Sequence, residues 1–207
     1  MNINYRSKIT PTFCPGCHNF FVYAAMQSAF NALNLKSSDL VINFDIGCVG
    51  NMADFFKVYG VHTLHGRSIA MAMGEKLANP NLTVCAVGGD GGIYGEGLNH
   101  LIAAARSNLN ITVFVSNNYL YSLTTGQTSP TTPKGSRTKS TPLGNPNIPI
   151  DIIKLMESIN PDIFIKSVDA KDIQEVSKAF KEALEFKGFS LVETRQECLA
   201  FGKQLKS

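Results

Sequence analysis

No run of these 207 residues approaches the roughly 18 consecutive apolar side chains of a membrane span, so a membrane protein is not expected. Met1 to Thr10 lack the apolar stretch of a secretory leader, and a cytoplasmic place is expected instead. Neither sign of charge prevails: 19 Lys and Arg against 16 Asp and Glu leave +3, too little to draw the chain to nucleic acid. Cysteine is neither abundant nor even in number, and five thiols without a leader argue against a disulfide framework. What the chain does hold is an ordinary globular share of apolar residues, 44%, with mean hydropathy +0.01. That excludes disorder, and the length suffices to bury a core without cross-links.

Charge is scarce in one part of the chain. Residues 1–133 carry 7 Lys and Arg and 6 Asp and Glu, whereas residues 134–207 carry 12 and 10. A soluble domain is typically about one quarter charged, and interface cores are depleted in charge. The expectation is that other subunits cover much of residues 1–133. The alternative is an uncharged surface rich in Gly, Asn and Thr.

The apolar pattern predicts helices over 18–35, 68–77, 95–107, 150–159 and 172–186. It predicts strands over 40–44, 82–88, 110–116, 163–168 and 189–194. Residues 124–149, rich in Thr, Pro, Gly and Lys, show no period and form a loop long enough to suggest a functional role. Strands alternate with helices, and the strands are continuous apolar runs. The expected fold is therefore α/β, one domain over 1–207 doubly wound on a mainly parallel sheet.

In such sheets ligands bind beyond the carboxyl ends of the strands. The segments that follow the strands are the unusual ones: Asp45-Ile-Gly-Cys48, Gly88-Gly-Asp-Gly-Gly92, Asn117-Asn-Tyr-Leu-Tyr-Ser122 and Cys198. Two further cysteines stand in the loop Phe13-Cys-Pro-Gly-Cys17, whereas Cys85 lies mid-strand and reads as a small core residue. In Gly89-Asp90-Gly91 the glycines let backbone amides approach an anion, but Asp90 would repel a bare phosphate. A divalent cation between them removes the conflict. Mg²⁺ takes a few oxygen ligands from protein and the rest from phosphate and water. Asn118 can give its amide oxygen and Leu120 its main-chain carbonyl. Each segment alone is a turn signal; the pair, one helix and one strand apart, is more specific.

Gly89-Asp90-Gly91 followed by Asn117-Asn118 resembles the thiamine diphosphate fingerprint, which holds Mg²⁺ and diphosphate. Phe13-Cys-Pro-Gly-Cys-His-Asn-Phe20, Gly60-Val-His-Thr-Leu-His-Gly-Arg67, Lys76-Leu-Ala-Asn-Pro80 and Thr125-Gly-Gln-Thr-Ser-Pro-Thr-Thr132 are similar to the β subunit of 2-oxoacid:ferredoxin oxidoreductases. The likeness runs from about residue 10 to about residue 200. It implies the diphosphate-type thiamine diphosphate fold. It implies a [4Fe–4S] cluster on Cys14, Cys17, Cys48 and Cys198, although four thiolates alone would also suit zinc. It places Mg²⁺ on Asp90, Asn118 and Leu120. It places the cofactor against Ile46, Gly47, Cys48, Val49, His65, Gly91, Gly92, Ser122 and Leu123, with His65 and Leu123 in catalytic positions. A histidine in a Leu-His-Gly turn can equally serve as a cap. His18, His62 and His100 are given no role.

The implied reaction is the coenzyme A-dependent oxidative decarboxylation of a 2-oxoacid to acyl-CoA and CO₂, with electrons leaving through the cluster to ferredoxin. The carboxylate that activates the aminopyrimidine comes from another subunit or domain in this family, and neither Glu75 nor Glu96 fits that part by motif. An α subunit binding the pyrimidine is therefore expected. There are departures. Many relatives have a second acid at Gly92, and Lys at Asn51 and Thr125, so the 2-oxoacid preference does not transfer. The chain also ends soon after Cys198, where longer relatives continue. Two other functions compete: a non-redox thiamine diphosphate decarboxylase half-subunit, which has no use for four cysteines, and a non-enzymatic metal-binding assembly subunit.

Overall fold

The computed structural model describes residues 3–205. Six strands form one sheet in the order β2-β1-β3-β4-β8-β7, and every pairing in it is parallel. The strands are β1 (Leu40–Phe44), β2 (Tyr59–His62), β3 (Thr83–Gly89), β4 (Thr112–Asn117), β7 (Phe164–Asp169) and β8 (Ser190–Arg195). Two short strands, β5 (Leu120–Tyr121) and β6 (Gln127–Thr128), pair antiparallel outside it. The expected doubly wound α/β architecture is present.

Successive side chains of a strand point to opposite faces. In β3, Cys85 and Val87 enter one core with Phe114 of β4, while Val84 and Ala86 enter the other with Val113 and Val115. Helices α1 (Asn19–Ala32) and α5 (Ile173–Glu185) cover the first face. Helices α2 (Ser68–Ala78), α3 (Leu98–Arg106) and α4 (Ile152–Ile159) cover the second. Central β4 is buried at every position, with Val113, Phe114 and Val115 at its centre and the polar Thr112, Ser116 and Asn117 at its ends. The Phe114 and Phe180 rings meet at 4.2 Å across the sheet–α5 interface. Asp151 and Asp172 cap α4 and α5 by accepting from backbone N–H groups of their first turns. Cys85 is fully buried, and burial pushes its thiol up to about 12.

Four local features differ from the sequence expectation. Helix α1 stops at Ala32, and Asn34 two residues on is left-handed with φ 51°. Strand β2 was not legible: it has four residues at the sheet edge, largely exposed, and no apolar pattern. The segment after β3 begins as a π-helix over Gly91–Glu96, and α3 starts only at Leu98. Residues 124–149 contain no helix but do supply β6.

Candidate functional site

The connections that follow β1, β3 and β4 meet at the carboxyl edge of the sheet. The first follows β1. Gly47 has φ 128°, a conformation that glycine accepts without strain, and it turns Ile46–Val49 across the strand ends. Asp45 opens this loop, wholly buried; its Oδ1 accepts from the N–H groups of Ile46 and Gly66, both at 2.9 Å, and its Oδ2 from the Ser68 hydroxyl at 2.8 Å. The β1 loop is thereby tied to the turn that starts α2.

The second connection follows β3. Asp90 is 1% exposed. Its Oδ2 accepts from Ser129 Oγ at 2.6 Å and Thr131 Oγ1 at 2.7 Å, and its Oδ1 faces Asn118 N at 3.4 Å. Burial raises its carboxyl to about 6, against the opposing pull of these hydrogen bonds. Gly91 and Gly92 are both needed. A Cβ at Gly91 would enter the Tyr121 ring, and one at Gly92 would strike Asp45 Oδ1.

The third connection follows β4. Asn117 is a structural link: its amide donates to Glu193 Oε1 at 2.9 Å, and its Oδ1 accepts from Tyr119 N and Thr131 Oγ1. Asn118 turns the other way, its Oδ1 accepting from Leu120 N at 3.1 Å and Ser122 Oγ at 2.9 Å. Side chains alternate along a strand, so the adjacent asparagines serve opposite sides, and Tyr119 after them is left-handed at φ 64°.

These pieces line a cavity of about 80 Å³. Its walls contain Ile46, Gly47, Cys48 and Val49; Asp90, Gly91 and Gly92; Asn118, Leu120, Ser122 and Leu123; and His65. Tyr121, which the sequence reading passed over, also lines it, and its burial beside Glu96 raises the phenol. The His65 Nδ1 lies 3.1 Å from Glu96 Oε2 and 3.8 Å from Asp45 Oδ1.

A second cavity, of about 130 Å³, adjoins the first. Cys14, Cys17, Cys48 and Cys198 line it, with Phe13, Asn51 and Leu199 among its other walls. Cys14 and Cys17 are folded back by a turn in which Cys17 N donates to Cys14 O at 3.0 Å, with Gly16 at φ 78°. Phe201 N points at Cys198 Sγ from 3.4 Å. Burial, with the three neighbouring thiols adding to it, raises Cys48 to about 11. Among the described residues no group of three or more His, Cys, Asp or Glu side chains is arranged to hold a single metal ion. Cys48, Asn118, Ser122 and Leu123 belong to the walls of both cavities. Cys85 belongs to neither. Thr125, left-handed at φ 77°, accepts from Lys139 Nζ at 2.8 Å.

Asp45, Ser129 and Thr131 were present in quoted motifs without a part assigned to them. Asp45 could have been singled out as the first residue after a strand and the only acid in that loop.

A carboxylate beside glycine amides at the end of one strand, with an amide oxygen from the next, is the arrangement of a cation-bridged diphosphate site. The family profile for the thiamine pyrophosphate enzyme C-terminal TPP binding domain matches residues 45–194. The β subunit of 2-oxoacid:ferredoxin oxidoreductase 1 from Aeropyrum pernix is 39% identical over 206 residues, 96% of this chain and 62% of that one. The corresponding subunit from Saccharolobus solfataricus is 41% identical over 90% of this chain and 61% of its own. The 2-oxoglutarate synthase subunit KorB of Archaeoglobus fulgidus is 39% identical over 93% of this chain and 72% of its own. A solved 2-oxoglutarate:ferredoxin oxidoreductase from Magnetococcus marinus, with 2-oxoglutarate, coenzyme A and succinyl-CoA bound, superposes with a TM-score of 0.93 at 33% identity. That match covers 95% of this chain and 67% of the other. The chain is a thiamine diphosphate-binding domain, and it belongs to the family of 2-oxoacid:ferredoxin oxidoreductase β subunits. It spans about three fifths of the length of the first two relatives.

Proposed function

We propose that this chain is the diphosphate-binding, electron-delivering half of a coenzyme A-dependent 2-oxoacid:ferredoxin oxidoreductase. The observation that carries the reading is the shared wall. One cavity has the buried carboxylate and amide oxygen that a cation-bridged diphosphate needs, the adjoining one has four thiols, and Cys48 belongs to both.

The residues fit the groups. Asp90 is buried with only neutral donors around it, so a cation is the partner that would offset the cost of its charge. Asp90, Asn118 and the Leu120 carbonyl would hold Mg²⁺, while Gly91 and Gly92 leave room for the diphosphate. Cys14, Cys17, Cys48 and Cys198 surround a space rather than converging on a point. That suits a [4Fe–4S] cluster, in which each thiolate takes its own iron, better than a single zinc, which needs four sulfurs at bonding distance from one ion. When bound, thiamine diphosphate supplies an electron sink for loss of CO₂, and the cluster carries electrons away singly.

The chain's own side chains do the rest. Ile46–Val49 and Ser122–Leu123 line the cofactor cavity. His65 brings an imidazole to the cavity, held toward Glu96. Cys48 brings the two sites within one loop of each other, which keeps the electron path short. The carboxylate for the aminopyrimidine would come from an α subunit seated on the charge-poor face. The acyl acceptor is coenzyme A and the electron acceptor ferredoxin, and the reducing cytoplasm is the fitting place for free thiols.

The test is reduction of ferredoxin or a viologen dye by 2-oxoacids with coenzyme A, using this chain copurified with its partner. Turnover that needs thiamine diphosphate, Mg²⁺ and coenzyme A is expected. A colourless protein without iron would point to the non-redox decarboxylase half-subunit. Failure to bind thiamine diphosphate would point to the assembly subunit.

A further inference from the structure

Asp45 touches neither cavity, yet it is one of the most enclosed charged side chains of the fold, 0% exposed. Glycines enclose it on three sides. A Cβ at Gly50 would collide with its carbonyl, one at Gly88 would lie 2.9 Å from its Cβ, and one at Gly92 would occupy the place of its Oδ1. The carboxylate has four donors: Ile46 N and Gly66 N at 2.9 Å, Ser68 Oγ at 2.8 Å and Ser68 N at 3.4 Å. So many donors satisfy the lone pairs of a buried carboxylate. Two of them, Ile46 N and Gly66 N, belong to the Ile46–Val49 loop that lines the cofactor cavity and to the residue that follows the cavity-lining His65.

The same carboxylate faces His65. Its Oδ1 is 3.8 Å from Nδ1, and Glu96 Oε2 is 3.1 Å from the same nitrogen. Nδ1 is itself buried and makes no aligned hydrogen bond. A ring nitrogen with one carboxylate oxygen at 3.1 Å and another at 3.8 Å is favourable only when it carries a proton. A neutral imidazole then has its lone pair on Nε2.

We propose that Asp45 is the positioning residue of this site: it locks the β1 loop to the α2 turn and, with Glu96, holds His65 as the Nδ1-protonated tautomer, leaving Nε2 as the acceptor on a ring that lines the cavity. The consequence for the cofactor rests on the function proposed above; the tautomer does not.

The tautomer is read by ¹⁵N NMR of the cofactor-free complex, with histidine labelled only in this chain and His65→Gln assigning the signal among its four histidines. A protonated Nδ1 and an unprotonated Nε2 are expected. Nε2 protonation in the wild type would overturn the proposal without any variant. Asp45→Asn, nearly the same shape, is expected to shift His65 toward the other tautomer and to weaken Mg²⁺–thiamine diphosphate binding by about tenfold, as loss of an orienting partner does. Unchanged ¹⁵N signals or unchanged affinity would overturn it. Ser68→Ala removes a donor to the same carboxylate and separates positioning from loosening. It should lower the melting temperature and leave the tautomer in place, and a tautomer shift as large as that of Asp45→Asn would reduce Asp45 to a structural residue. Wild type that binds no cofactor would refute the proposed function and leave the tautomer result standing.

Discussion

Asp90 and Cys85 are both buried and both carry perturbed ionisation, but for opposite ends. Asp90 keeps its carboxyl at about 6 because burial outweighs its hydrogen bonds. The folded chain thus holds that proton more tightly than the unfolded one, where the group titrates near 3.8. The contribution to stability is complete below the unfolded value and is lost as pH rises through about 6. Thermal melts of cation-free protein should show this loss, and Asp90→Asn should remove it. Mg²⁺ with thiamine diphosphate should restore stability at neutral pH and bind more weakly below about pH 6, because proton and cation compete for one carboxylate. Asp90→Ala should abolish Mg²⁺-dependent cofactor binding, measured by calorimetry. Cys85 faces the core between β3 and α1, away from the loops. Cys85→Ser should keep its full iron and cost about 1–3 kcal/mol if the hydroxyl finds no partner. Cys48→Ser should lose iron and sulfide and stop ferredoxin reduction. Metal analysis of the two variants side by side separates ligand from core.

At the scale of elements, the turn from β3 into α3 is the tightest constraint. The π-helix over Gly91–Glu96 lets Asp90 face Ser129 and Thr131 while Tyr94 reaches across to Glu193, at 3.3 Å. Tyr121 lies against Gly91, its hydroxyl donating toward the Gly91 carbonyl at 3.4 Å and toward Glu96 Oε1 at 3.2 Å. Gly91→Ala would therefore displace the β5 aromatic ring and with it the Ser122–Leu123 wall. Crowding of this kind costs about 1–3 kcal/mol. Cofactor affinity should fall more than chemical stability does, and a Gly91→Ala protein with normal affinity would mean that the β5–β6 hairpin moves independently of the site. The hairpin could not be foreseen from its sequence. Strands of two residues have no period, and this pair exists because Tyr121 and Leu120 pack on the cavity while residues 127–128 complete the ladder.

The whole molecule exposes large apolar side chains in its charge-poor part as well as beyond it, where Leu143 and Ile148 stand out. Phe21, Tyr59, Leu64, Met71, Leu77 and Leu123 are all exposed in the first 133 residues, Leu64 at 79%. Such a surface fits a subunit face better than a free one. The chain expressed alone should be inactive, bind the hydrophobic dye ANS and self-associate in sedimentation, and coexpression with the α subunit proposed above should suppress dye binding and self-association. Turnover by a monodisperse monomer would contradict this. Among the described residues no helix is long and apolar enough to cross a membrane.

The sequence by itself determined the layered α/β architecture, because buried parallel strands must be continuous apolar runs and the loops that follow them must hold the chemistry. It also determined which residue types meet at that edge, since glycine, asparagine, aspartate and cysteine in those loops have little other reason to cluster. Tertiary structure alone decided how they face each other. Asn117 and Asn118 are neighbours in sequence, but side chains alternate along a strand, so Asn118 meets the cavity while Asn117 is bound to Glu193, 76 residues away. Asp45 holds Gly66 and Ser68 more than twenty residues further on. No local pattern encodes such contacts, because each depends on strand order and on the space that three glycines leave open around one carboxylate.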